Sequence, residues 1–202
     1  MKIISPVVKA LNLLVIVILF SSCSSTVPFI YNAQYTASSE NKITTENKIH
    51  LTMKDLRADP ELIAYVYNNF GMKVKDIKIK DPNISKAILT KFKNELTKKG
   101  YILTEDIDDS DMVLILSVTK LFAKMRPGFS RFTTKTDCCI KIALSTNNNN
   151  AELYETDVCG NNVLVKGARA SKKLVSEALS LSIDDALSKL LNDEGLINAV
   201  SK

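Results

Sequence analysis

The chain has 202 residues, with Lys+Arg 27 against Asp+Glu 22 and a formal net charge of +5. No run of five or six basic residues occurs, which argues against a nucleic-acid partner. Four cysteines, no Cys-x-x-Cys and a single histidine, His50, leave a zinc site to be built from Cys138, Cys139 and Cys159 plus something remote, so no metal is expected.

The first segment reads as an export signal. Lys2 and Lys9 precede a short apolar run, residues 10–20, followed by Ser21, Ser22 and Cys23. The run is much shorter than the roughly 20 apolar residues a spanning helix needs, and Asn12 interrupts it. Small residues just before a cysteine are the pattern of a bacterial lipoprotein signal, with Phe20 where an aliphatic residue is usual. Cleavage there makes Cys23 the lipid attachment point, and the membrane is then the first expected partner. The alternatives are an ordinary secretory signal and an uncleaved anchor. Two or three acyl chains, at about 0.8 kcal/mol per buried CH₂, hold a protein effectively permanently. Ser24, rather than Asp, follows the cysteine, which by likeness to Gram-negative lipoproteins implies the outer membrane.

Residues 23–46 are rich in Ser, Thr and Asn and read as the lipidated cysteine plus a flexible tether. A chain of that length has an r.m.s. span of about 25–29 Å. Residues 27–35 are more apolar and are the part that could dock on the domain. Residues 47–202 then form a single domain, and removing residues 1–22 takes away Lys2 and Lys9 and leaves a charge of +3.

Within the domain, residues 48–55 alternate with period two, which predicts a half-buried strand with His50 on its polar face. Residues 62–67 and 72–79 predict two more strands around the turn residues 68–71. Lys73, Lys75, Lys78 and Lys80 stud the third. Lysines guarding an edge strand explain them; a basic strip facing anionic headgroups is the alternative. Asp81 and Pro82 suit a helix start, and Ile84, Ile88, Phe92 and Leu96 make an apolar stripe that closes at Gly100. A short strand over residues 101–104 and an acidic turn, Glu105 to Asp111, follow. That turn lacks the central Gly and final Glu of an EF-hand loop.

Residues 112–123, 132–145 and 151–166 predict three long strands in an antiparallel meander, turning at Arg126-Pro127-Gly128 and at Asn147 to Asn150. Folding the second turn at its centre sets Cys138 or Cys139 opposite Cys159, within one residue, at a separation a disulfide can bridge. Cys139–Cys159 is the favoured pair, because Cys138 shares the face of Ile140 and Ile142; three unpaired thiols are the alternative. Ser171 caps a last helix striped by Val175, Leu179, Ile183, Leu187 and Leu190, ended by Gly195, with one further short turn over residues 196–200. The order of elements predicts an α+β two-layer sandwich: a mainly antiparallel sheet with two helices packed on one face.

The domain resembles the YajG family of Gram-negative outer-membrane lipoproteins. The likeness lies in Asp55 and Arg57 after the first strand, Leu96 with Gly100-Tyr101 closing the first helix, Thr134-Lys135-Thr136-Asp137 in the meander, and Val165-Lys166-Gly167-Ala168 before the last helix. The resemblance implies a lipid-anchored periplasmic domain with an α/β sandwich and no established enzyme activity. Phe20 and the three domain cysteines depart from that family's pattern.

The sequence therefore points to an outer-membrane-anchored periplasmic lipoprotein acting as a non-catalytic interaction module of the cell envelope. Its partner is an envelope protein or a glycan; Tyr65, Tyr67 and Tyr154 could contribute to an exposed patch. The alternative is an auxiliary lipoprotein that holds a lipid or other small hydrophobic ligand between sheet and helices. No catalytic residue and no cofactor are expected, since one histidine on a polar strand face is a poor start for an active site.

Overall fold

A computed structural model describes residues 43, 45–79, 83–149 and 151–201. Cys23, the expected lipid attachment point, and the expected helix start at Asp81 and Pro82 lie outside the described residues. Seven strands are present among the described residues: β1 (Lys48–Asp55), β2 (Leu62–Tyr67), β3 (Lys73–Lys78), β4 (Ile102–Thr104), β5 (Met112–Pro127), β6 (Phe132–Thr146) and β7 (Glu152–Lys166). Three helices accompany them there: α1 (Asn83–Lys98), α2 (Lys172–Leu191) and α3 (Glu194–Val200).

The spine is β5. Its alternating apolar residues give it one buried face along its whole length, and both of its edges are paired. On one edge lies β6, antiparallel, from Met112↔Thr146 to Pro127↔Phe132. The other edge is shared end to end. β1 runs parallel to the first half of β5, Ile49↔Met112 to Asp55↔Val118, and β2 runs parallel to the second half, Ala64↔Ala123 to Val66↔Met125. β4 adds to β1 in parallel, β3 adds to β2 antiparallel, and β7 adds to β6 antiparallel.

The sheet is therefore mixed, with three helices, and the expectation of a mainly antiparallel sheet with two helices is overturned. The physical reason is that period two sets a strand and its faces, not the direction of its neighbour. Helix α1 returns the chain to the sheet, so that β4 lies parallel to β1, as a crossover connection allows. Gly195 also sits otherwise than predicted: α2 ends at Leu191, and Gly195 lies inside α3, which Asp193 caps by accepting from the Leu196 amide at 2.8 Å.

The core fills the space between one face of the sheet and the helices. The α1 stripe, Ile84, Ile88, Phe92 and Leu96, is buried, as are Val175, Leu179, Ile183 and Leu187 of α2. They meet Leu114, Leu116, Ile140 and Ile142 in one cluster. Ser171 caps α2 by accepting from the Leu174 amide at 3.2 Å. The two long helices are latched at their C-termini: buried Lys99 donates to the Leu191 carbonyl at 2.6 Å and to Asn192 Oδ1 at 2.8 Å. The negative end of α2 favours that cation, while burial pulls its pKa down. On the other side, α2 lies against β7 at Gly160, where a Cβ would collide with the Ser182 carbonyl and the Ala186 amide. From there Lys189 donates to the Cys159 carbonyl, and Asp185 accepts from the Asn161 amide, both at 2.9 Å. These two side chains occupy backbone groups that an edge strand otherwise offers to a stranger.

Candidate functional site: the open face of the sheet

One irregularity shapes the second face. Thr119 is a bulge: Val118 pairs with Ile140, and Lys120, not Thr119, pairs with Cys139. Even-numbered residues of β5 face the helices before it, and Leu121, Ala123 and Met125 do so after it. Lys120, Phe122, Lys124 and Arg126 are thereby turned onto the face that, among the described residues, carries no helix. The bulge lies where β1 has ended and β2 has not begun. The linking residues Arg57, Ala58 and Asp59, with Leu62, Tyr65, Thr119, Leu121 and Phe122, enclose a groove of about 530 Å³ there.

Beside the groove stands a cluster of rings. Tyr65 meets Phe122 edge-on with centroids 4.8 Å apart, and meets Tyr67 at 6.5 Å. Lys73 Nζ lies 4.4 Å from the Tyr65 ring centre, and the Arg126 guanidinium 5.4 Å from that of Tyr67. Such stacking suits a cation held against a ring's negative face.

Arg57 floors the linking loop. Its side chain is only 7 % exposed, and it forks onto Asp55 with Nε–Oδ1 at 2.9 Å and Nη2–Oδ2 at 2.6 Å. Ser85 of α1 donates to the same carboxylate at 3.2 Å. Burial pushes the Asp55 pKa up, but the Arg57 hydrogen bonds and charge outweigh it and hold the carboxyl below its ordinary value. Arg57 Nη1 is buried and has no partner among the described residues.

A second cavity, about 580 Å³, lies at the opposite end of the sheet between α3 and the start of β7, lined by Asn47, Met112, Leu153, Tyr154 and Ala199 among others. Tyr154 donates to Asp193 at 2.6 Å beside it. Tyr101 is buried near the same aspartate, and burial followed by the Asp193 charge pushes its pKa up to about 12.

A family described as uncharacterised lipoprotein matches residues 34–201. The chain belongs to that lipoprotein family.

Among solved structures, protein XCC0632 from Xanthomonas campestris shares the fold, with a TM-score of 0.62 at 10% identity over 86% of this chain and 97% of that one. A minor lipoprotein from Acinetobacter baumannii aligns with a TM-score of 0.45 at 10% identity, over 75% and 94% of the two chains. Lipoprotein GNA1162 from Neisseria meningitidis aligns with 0.34 at 14% identity, over 66% and 93%. No curated protein matches the sequence. Among the described residues of this lipoprotein, no helix is long and apolar enough to cross a membrane, and no group of three or more His, Cys, Asp or Glu is placed to hold a metal ion.

The residues singled out from the lipoprotein's sequence are dispersed. Cys139 and Cys159 are joined by a disulfide on the open face, with Cα atoms 4.1 Å apart. Cys138 points the other way, into the core, where burial pushes its thiol up to about 12 against an opposing pull from the Arg57 charge. His50 lies on the open face of β1, beside Thr104 of β4 and Val113 of β5. Ile43, Thr45 and Asn47, around the expected end of the tether, are hydrogen-bonded to the domain: Ile43 N–H to the Lys99 carbonyl at 2.7 Å, Thr45 and Asn47 side chains to the Val200 carbonyl at 3.2 and 2.9 Å. The groove itself was missed in the sequence. Its traces there are Arg57, singled out by family resemblance, and Tyr65, named for an exposed patch.

Proposed function

We propose that this lipoprotein is an outer-membrane-anchored, periplasm-facing, non-catalytic interaction module that engages an envelope partner, protein or glycan, through the groove on its open face. The observation that carries the reading is the ring cluster of Tyr65, Tyr67 and Phe122 set beside that groove, on a sheet face that no helix covers among the described residues. Stacking rings with flanking donors suit a sugar ring or an extended peptide equally. Anchoring at Cys23 would confine the domain to one membrane and raise its effective concentration for neighbours there. Ser24 and the YajG likeness support the outer membrane. The non-catalytic reading draws on placement: His50 and Cys138 lie on opposite faces of the sheet, and Cys139, the other thiol near it in sequence, is tied to Cys159. A second reading, a small amphipathic ligand, rests on the α3 cavity with its Met112, Leu153 and Ala199 wall and the Tyr154 hydroxyl.

The test is photo-crosslinking in cells, with benzoylphenylalanine at Phe122 in the groove and at Leu153 in the α3 cavity of the anchored protein. A discrete adduct from position 122 that the His50→Ala change leaves intact supports the module. No adduct from 122 under conditions that give one from 153 overturns it in favour of the second reading.

A further inference from the structure

β2 and β5 run parallel, so the turns that follow them leave the sheet at the same end. Each turn carries a phenylalanine wholly in water: Phe70 is 86 % exposed and Phe129 111 %. Met72, Val74, Val163 and Val165 add to this end, so six of the ten large apolar side chains exposed among the described residues gather there. Scattered singly they would need no account; gathered, they mark a contact surface.

The rings are not exposed by slackness. Asn68 Oδ1 accepts from the Phe70 and Met72 amides at 3.0 and 2.9 Å, and the Gly128 amide donates to the Arg131 carbonyl at 2.8 Å. Charge along the two phenylalanine-bearing turns and their flanks is one-sided, while Lys166 beside them is paired with Glu177 at 2.6 Å. The stretches 65–75 and 124–135 contain Lys73, Lys75, Lys124, Arg126, Arg131 and Lys135 and no Asp or Glu. Just beyond them, Asp76 pairs with Lys73 at 3.2 Å, and Asp137 pairs with Lys120 at 2.8 Å. Tyr65 and Tyr67 stand behind the tips with Lys73 and Arg126 against their rings. Apolar tips, then amphipathic rings among cations, is the layering of an interfacial membrane contact.

We infer that this hairpin end seats in the headgroup layer of the membrane to which the protein is tethered, with Phe70 and Phe129 in the acyl boundary and the surrounding cations on anionic lipid phosphates. The inference rests on the lipid anchor of the proposed function, and reach permits it. The chain enters the domain at the other end, where Ile43 bonds to Lys99. The roughly twenty residues from Cys23 to Ile43 span up to about 70 Å when extended. The sheet is shorter than that, since β5 at about 3.3 Å per residue is close to 53 Å long.

The chain contains no tryptophan, so Phe129→Trp installs a sole reporter. Leu153→Trp, at the tether end of the sheet, is the counterpart. Each protein, lipidated at Cys23 with residues 1–22 removed, is reconstituted into phosphatidylethanolamine–phosphatidylglycerol vesicles with brominated acyl chains. Expected are a blue-shifted emission and quenching about threefold stronger at position 129 than at 153, weakening with added salt or with phosphatidylcholine alone. Equal quenching, stronger quenching at 153, or water-like emission at 129 overturns the inference, the last being the result if the end instead awaits a protein. Quenching indifferent to salt and lipid charge overturns the cationic half. Both substitutions are at exposed sites, and far-UV circular dichroism checks the fold. Intact mass reads acylation of Cys23 separately. A non-acylated product counts against the anchor, and the same comparison at high vesicle concentration then still decides the contact.

Discussion

Cys139 and Cys159 close a loop with a sequence separation of 20, containing the β6–β7 turn. In the unfolded chain the bridge removes loop-closure entropy worth about 3 kcal/mol for a loop of this size. Cys139→Ser/Cys159→Ser, compared with the oxidised protein in urea, should therefore lose about 3 kcal/mol, or roughly a third of a typical domain stability. Its m-value should rise as well, because the uncrosslinked unfolded chain exposes more surface. The bridge lies on the open face, so a reductant should open it without denaturant. Cys138 should stay silent to alkylating reagents until unfolding, being buried with its thiol pushed up to about 12. Three reactive domain thiols in the unfolded, unreduced protein, or a loss under about 1 kcal/mol with unchanged m, would refute the reasoning.

Two further outcomes follow from buried contacts. Asp55→Asn strips the counter-charge from an Arg57 side chain that is 7 % exposed, and chemical denaturation should show a loss of about 3–5 kcal/mol. The folded Asp55 pKa lies below its unfolded value, so the wild-type contribution is complete above about pH 4 and fades as pH falls through the folded value; the variant should lack that acid limb. Gly160→Ala should lower stability by about 1–3 kcal/mol, because its Cβ meets backbone of α2 that cannot swing aside; an unchanged melting temperature would contradict the close helix–strand approach.

What the sequence made legible was periodic. The stripes of α1 and α2, the Ser171 cap and the alternation of β6 and β7 are local patterns that translate directly into buried and exposed faces. The hairpin register was legible to one residue: folding at the turn centre sets Cys138 against Cys159, and an irregularity between Leu144 and Ser145 shifts the partner to Cys139. Direction was not legible. β1 and β2 look like hairpin material because nothing in LIAYVY says that its neighbour is Ala123–Met125 rather than β1. The groove was invisible for the same reason, since it arises where two strands fail to meet along a third. Phe70 was readable only as a turn residue, and Phe129 only as a residue between two strands. Their shared end follows from the parallel pairing that the sequence hid.

The end-to-end sharing of one edge of β5 by β1 and β2 also has a temporal side. The chain is made from its N-terminus, so β1 and β2 emerge before the strand that completes both. Until Met112–Pro127 has been synthesised, they have no central partner, and their closure waits on β3, α1 and β4 as well. Pairings so distant along the chain form slowly and leave bare edges in the interval. The part of the domain that is made first is therefore a part unable to lock by itself, and its edges stay bare until the spine strand arrives.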